Sequence, residues 1–218
     1  MKGLASQTAE IIERVSTLTC IKPYLLVGGT ALSLQLSHRL SEDLDFMRWP
    51  TGKNTTIEVD WVNIEKELAA IGNLQKTDLM SFEHVEYVVS DVKFSFYCCD
   101  KSSPIEKTLP FLNNIILADI DSIAVMKMEV LLRRSKFRDY YDLYCIFKDK
   151  NDNEIKKLID KALIYSGHRL KTKNLLSILT TGDRFANDTL FKQLNPVYNV
   201  STNDIQQFMA KRIKSIYR

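Results

Sequence analysis

The stretch VGGTALSLQLSHRLSEDLDF, residues 27–46, packs three textures into a short span. Tyr24 to Val27 is a short β-type run that closes on Gly28-Gly29. Thr30 to Leu36 can open a helix, and Leu40 to Trp49 alternates and predicts a strand. Side chains i and i+2 share one face of a strand, so Ser41, Asp43 and Asp45 project together while Leu44 and Phe46 occupy the other face. At a rise of ~3.3 Å per residue the two aspartates stand roughly 6–7 Å apart at the backbone. That spacing lets both carboxylates hold one hard cation, or clamp a pair of ions ~3.5–4 Å apart. Two like charges this close are unfavourable without a cation between them. A bare D-x-D also fits a solvated strand face, so the pair alone assigns nothing.

The glycines add the second half of a site. A strand ending in Gly28-Gly29 before a helix exposes backbone N–H groups to an anion and lets it approach without a Cβ in the way. No G-K-[ST] follows, so this is not a Walker A loop, and G-x-G-x-x-G is absent. A phosphate cradle one strand from a metal-binding pair is what transfer from a nucleoside triphosphate needs. Taken singly, the glycines also fit a tight strand-to-helix turn.

Two further features lie downstream. In SIAVMKMEVLL, residues 122–132, only Lys127 and Glu129 are charged. Lys127 falls four residues from both Ile123 and Leu131, on an apolar stripe, so it either snorkels outward or points into a polar site. Next comes RRSKFRDYYDLYCIF, residues 133–147, in which Asp139 and Asp142 share one helix face beside Arg138. Acids near a helix start suit its dipole, which accounts for Asp139 better than for Asp142. Tyr141, Tyr144 and Phe147 at helical spacing fit a core, although tyrosines among basic residues can also stack on nucleic acid.

The surroundings bound the fold. The 218 residues suffice for one large domain or two modest ones, with 45% apolar and 26% charged residues as in ordinary globular chains. Helical spacing covers residues 5–19 and 61–71. Phe82 to Val89 and Val92 to Cys98 read as a hairpin across Ser90-Asp91, and Ile115 to Ile120 as another strand. Beyond Asp121 only helices are expected, at 121–134, 138–149, 153–165, 173–180 and 202–217. The expected organisation is an α/β part at 1–118 and a helical part at 119–218.

Charge divides the same way. Residues 1–118 carry 11 Lys and Arg against 15 Asp and Glu, and residues 119–218 carry 19 against 12, giving −4 and +7. An acidic half beside a basic half points to metal binding in one and contact with an anion in the other. No apolar run reaches the ~20 residues of a membrane span, and Glu10 and Glu13 interrupt the N-terminal apolar stretch, unlike a signal peptide. Cys20, Cys98, Cys99 and Cys145 lack C-x-x-C spacing and read as free thiols of a cytoplasmic protein. Three scattered histidines argue against zinc.

Taken in order, these motifs resemble the AbiEii/AbiGii nucleotidyltransferases, toxin components of bacterial toxin–antitoxin and abortive-infection systems within the DNA polymerase β-like superfamily. The resemblance rests on Gly28-Gly29-Thr30-Ala31-Leu32, on Arg39, Ser41, Asp43, Leu44, Asp45 and Phe46, on Lys127 with Arg134, and on Arg138-Asp139 with Asp142-Leu143. It implies an α+β fold: a polymerase β-like core with a small mixed sheet flanked by helices, then a C-terminal helical bundle. It also implies transfer of a nucleoside monophosphate from an NTP with loss of pyrophosphate, supported by Mg²⁺ or Mn²⁺. Asp43 and Asp45 would hold the metal. Gly28, Gly29, Thr30, Arg39, Ser41 and Arg134 would line the nucleotide, and Lys127 would neutralise the triphosphate. Asp139 or Asp142 would orient or deprotonate the acceptor. Implied partners are tRNA, through its 3′ end, and a cognate antitoxin protein, with no membrane.

One departure stands out. The superfamily often has a third carboxylate on a later strand, whereas DVKFSFYCCD offers Lys93, Ser95 and Tyr97 on one face, with Asp91 and Asp100 only at its ends. Either the downstream acids substitute or metal-dependent catalysis is impaired. Alternatives to the RNA reading are the same chemistry on a protein hydroxyl or a small molecule, and an inert nucleotide-binding homologue.

Overall fold

Alternating burial builds the N-terminal part of the chain around one mixed sheet. A computed structural model describes residues 1–50, 57–167, 171–181, 188 and 190–217. It divides into two units, Met1–Asp119 and Ile120–Arg218. The first contains α1 (Ser6–Ser16), β1 (Leu25–Val27), α2 (Gly28–Leu36), β2 (Leu44–Arg48), α3 (Trp61–Ile71), β3 (Leu74–Ser81), β4 (His84–Val89), β5 (Val92–Cys98), β6 (Thr108–Leu112) and β7 (Ile115–Ala118). The seven strands lie in the order β3-β4-β5-β2-β1-β7-β6. β2 runs parallel to β5 and β1 parallel to β7, and the other neighbours are antiparallel.

One face of this sheet is apolar. Leu44, Phe46, Val85, Tyr87, Phe94 and Phe96 are all buried there, with Phe46 stacked on Phe96 and Tyr24 and Tyr87 edge-on to it. Ile11, Ile12 and Val15 of α1 and Ile64 and Leu68 of α3 bury the stripes that their helical spacing predicts. The β4–β5 hairpin turns through Ser90 and Asp91, both at positive φ, as a tight two-residue turn requires.

The mixed sheet flanked by helices agrees with the fold that the resemblance implies, but both of its edges extend further. β3 is almost wholly exposed and lacks apolar alternation, and β6 carries Pro110, which only an edge strand tolerates. The acid strand is shorter than Leu40–Trp49. Residues 41–43 precede the ladder of β2, because other parts of the unit take up their backbone groups.

The second unit is helical: α4 (Ile120–Val130), α5 (Phe137–Lys148), α6 (Asp152–Tyr165), α7 (Thr172–Thr180), a 3-10 turn at Phe191–Leu194, and α8 (Thr202–Ile216). Capping boxes start α6 at Asn151 and α8 at Ser201. Tyr141 and Phe147 are buried in its core, and Tyr141 and Tyr144 join Phe137, Phe191, Tyr198 and Phe208 in a chain of edge-on and tilted rings. The four cysteines are buried free thiols. Among the described residues no helix is long and apolar enough to cross a membrane.

Candidate active site

Three consecutive residues ahead of β2 are gripped from different directions. The Ser41 N–H donates to the Gly3 carbonyl at 3.0 Å, and the Ala5 N–H donates to the Ser41 carbonyl at 2.9 Å, a parallel bridge to the N-terminal segment. Thr8 Oγ1 on α1 donates to the Glu42 carbonyl at 2.6 Å. Thr30 Oγ1, buried in α2, donates to the Asp43 carbonyl and lies 2.9 Å from Ser41 Oγ. The main chain that carries Ser41 and Asp43 is therefore fixed while the Asp43 side chain stays half-buried. Asp45 follows on β2, also half-buried, on the face opposite Leu44 and Phe46.

The two glycines are the first residues of α2 and not a loop before it. Gly28 adopts φ +68°, a conformation that disfavours any side chain. A Cβ there would also come within 2.5 Å of Asp45 Oδ2. On Gly29 a Cβ would lie 2.6 Å from Arg39 Nη2 and 3.1 Å from Ser41 Oγ. The open sides of both glycines thus face Asp45, Arg39 and Ser41. Arg39 is buried, and its Nη1 donates to the Leu40 carbonyl at 2.8 Å. Val27, at the helix start, provides no side-chain cap, which leaves first-turn N–H groups of α2 for an anion or solvent. Six of the sequence-identified residues (Gly28, Gly29, Thr30, Arg39, Ser41 and Asp45) meet around this turn, with Asp43 beside them.

The donor chemistry here suits a hard divalent ion. Asp43 and Asp45 offer carboxylate oxygens two residues apart, and the missing Cβ of Gly28 leaves the space that Asp45 Oδ2 occupies. Among the described residues no group of three or more His, Cys, Asp and Glu is assembled to hold a metal. Mg²⁺ is commonly held by one or two carboxylates, with water and substrate phosphate completing its shell, so the residues present fit that ion.

The other predicted residues meet within the helical unit. Lys127 Nζ on α4 lies 2.6 Å from Asp142 Oδ2 and 3.3 Å from Asp139 Oδ1, both on α5. Arg134 grips Asp139 with Nε at 2.9 Å and Nη2 at 3.0 Å, a two-point contact. Lys127, Asp139 and Asp142 are only 6%, 1% and 0% exposed. Burial works against the charge on Asp139, but Lys127 and Arg134 offset it and hold the carboxyl below the ordinary carboxylate range. Arg138 pairs instead with Asp188, at 2.8 Å.

Sequence reasoning missed the clamp on residues 41–43 and a second polar group on the sheet. β5 lies beside β2 with Ser95 in register with Asp45, and Ser95 is in register with Glu86 of β4. His84 Nε2 stands 3.1 Å from Ser95 Oγ. The position on β5 beside Asp45 thus carries a hydroxyl bonded to an imidazole.

Comparisons with known proteins agree with this architecture. A Helicobacter pylori crystal structure of a candidate nucleotidyltransferase superposes with a TM-score of 0.53 at 19% identity, covering 98% of this chain and 97% of that one. The structure of JHP933 from the same species gives 0.51 at 18% identity, covering 98% and 94%. At those identities the likeness is one of fold. An uncharacterized protein of Aquifex aeolicus (strain VF5) is 23% identical over 224 residues, covering 98% of each chain. The family described as nucleotidyl transferase AbiEii toxin, type IV TA system, matches residues 11–214. With that match spanning nearly its whole length, the chain belongs to the AbiEii nucleotidyltransferase toxin family of type IV toxin–antitoxin systems.

Proposed function

We propose that this chain transfers a nucleoside monophosphate from an NTP to an RNA hydroxyl, the tRNA 3′ end being the acceptor, as the toxin partner of a cognate antitoxin. The observation that carries the reading is the convergence of Asp45, Arg39 and Ser41 on the open sides of Gly28 and Gly29. Ser41 Oγ, the Arg39 guanidinium and the N–H groups at the start of α2 bind phosphate oxygens. Asp43 and Asp45 would hold Mg²⁺ or Mn²⁺, which when bound neutralises charge on the triphosphate. The acceptor oxygen forms a bond to the α-phosphorus as the bond from that phosphorus to the bridging oxygen breaks, and pyrophosphate leaves with the electron pair.

In the helical unit, the resemblance assigns the Lys127 charge to the triphosphate, whereas its ammonium is already balanced by Asp139 and Asp142. Asp139 and Asp142 serve to position the Lys127 ammonium. A carboxyl held below its ordinary range is a weak base, so Asp139 is a poor candidate for deprotonating the acceptor. The net +7 of residues 119–218 supports RNA as the acceptor class, since basic surface gathers phosphate backbone.

The test is incubation with each labelled NTP, Mg²⁺ or Mn²⁺, and either total tRNA or total protein. Label is expected at the tRNA 3′ end and is lost in Asp45→Asn. Label in protein alone would move the acceptor class. NTP binding by calorimetry with no transfer to any acceptor would mark an inert homologue.

A further inference from the structure

The half-buried face of the sheet carries a polar row of which the site above uses only Asp45. Asp45 of β2, Ser95 of β5, Glu86 of β4 and Asp78 of β3 lie in register across four strands. Residues opposite one another share a face, so Ser95 stands beside Asp45. His84 points along the same face, with Nε2 3.1 Å from Ser95 Oγ and 3.4 Å from Glu86 Oε1. Lys93 Nζ holds Glu86 at 2.7 Å, and the imidazole stands edge-on to Tyr97.

Nucleotidyl transfer releases one proton from the acceptor hydroxyl, and something must take it. The acids of the helical unit are spent on Lys127 and Arg134. Carboxylates engaged with a divalent ion are weakened as bases. We propose that Ser95 and His84 form a proton relay for this reaction, with the imidazole as the final acceptor. The inference rests on the transfer reaction proposed above. The acceptor oxygen bonds to the α-phosphorus and pyrophosphate departs with the electron pair. The hydroxyl proton passes to Ser95 Oγ while the Ser95 proton passes to His84 Nε2.

The surroundings keep the imidazole neutral and ready. Burial lowers its proton affinity below the ordinary imidazole value, Glu86 opposes that, and Lys93 adds to it. The other groups facing it are Tyr97 on β5, Ser81 opposite it on β3, the Lys76–Asp78 pair beyond Glu86, and Asp45 across Ser95. Ser95 would touch the acceptor, and His84 acts through it.

The experiment measures kcat, KM for NTP and their pH dependence in the full chain, using total tRNA and the preferred NTP, for wild type, His84→Gln and His84→Gln/Ser95→Asp. His84→Gln is expected to lower kcat by about 100-fold at neutral pH with KM for NTP unchanged. It should also abolish the rise in kcat with pH that the relay predicts for wild type on the acid side of the ordinary imidazole value. An Asp at position 95 supplies a base directly, so the double variant should regain about tenfold over His84→Gln. His84 is half-buried on a sheet face, so unchanged thermal unfolding should accompany the loss. An active wild type with an unaffected His84→Gln rate and pH profile sinks the relay alone, as does failure of the double variant to recover. An inactive wild type with every acceptor sinks the transfer reading and the relay with it.

Discussion

In the α/β unit Asp43 and Asp45 stay half-buried and are held from behind, by bonds to the main chain of residues 41–43 and by the room that Gly28 and Gly29 leave. In the helical unit Asp139 and Asp142 are sealed away and held head-on, by the cations of Lys127 and Arg134. The first arrangement keeps both carboxylates half-buried. The second neutralises its charge internally, so removing one member strands the others in a poorly solvated place. Changing a carboxylate should therefore disable one unit chemically and the other structurally.

The largest expected effect is on activity. Asp45→Asn removes the charge of a carboxylate proposed above to hold the metal, a contribution of several kcal/mol, so transfer should fall by about 10³-fold or more. Its urea midpoint should fall by less than that of Lys127→Met, and an equal fall would erase the contrast between the units. Lys127→Met is the mirror experiment. It removes the cation that both buried carboxylates contact, and urea unfolding should show a loss of about 3–5 kcal/mol.

Smaller effects separate the supports of the first site. Gly28→Ala meets both a positive φ and Asp45 Oδ2, and should cost about 1–2 kcal/mol of stability. The displaced carboxylate should lower transfer by about 100-fold, measured by label incorporation at saturating NTP. Thr30→Val keeps the shape of the side chain but deletes its bonds to Ser41 and the Asp43 carbonyl. A loss of about 1–2 kcal/mol in unfolding free energy is expected.

The smallest effect concerns pH. The Asp139 carboxyl binds its proton less readily folded than unfolded, so its stabilisation is fully present above the unfolded value of ~3.9 and is lost as pH falls through the folded one. Thermal unfolding of wild type should lose stability below pH ~4. Asp139→Asn should start less stable at neutral pH and show a shallower acid dependence. Identical acid slopes in the two proteins would remove Asp139 from the account.

Much of this was legible in the sequence, for local reasons. Gly-Gly at a strand-to-helix junction and a D-x-D that runs into a strand mark the turn, although the glycines open α2 itself and Asp43 precedes β2. The helices after Asp121 follow from apolar periodicity alone. β3 was illegible because an exposed edge strand needs no apolar alternation, and β6 because Pro110 argues against a strand unless it lies at an edge. The clamp from Gly3 and Ala5 uses main-chain groups that every residue carries, so it left no signature. His84 was hidden differently. Its nearness to Ser95 depends on β4 and β5 pairing in their observed register, and the nearness of Ser95 to Asp45 depends on β5 lying parallel to β2. A crossover of that kind is a property of strand order and not of any one segment.

The bridge between Leu4 and Ser41 has a practical consequence for anyone who purifies this protein. Residues 3–5 serve as a brace behind the segment that carries Ser41, and a Cβ at Gly3 would collide with the Ser33 carbonyl at 2.3 Å. Protease trimming past Ala5 would remove both main-chain bonds to Ser41 and loosen that segment.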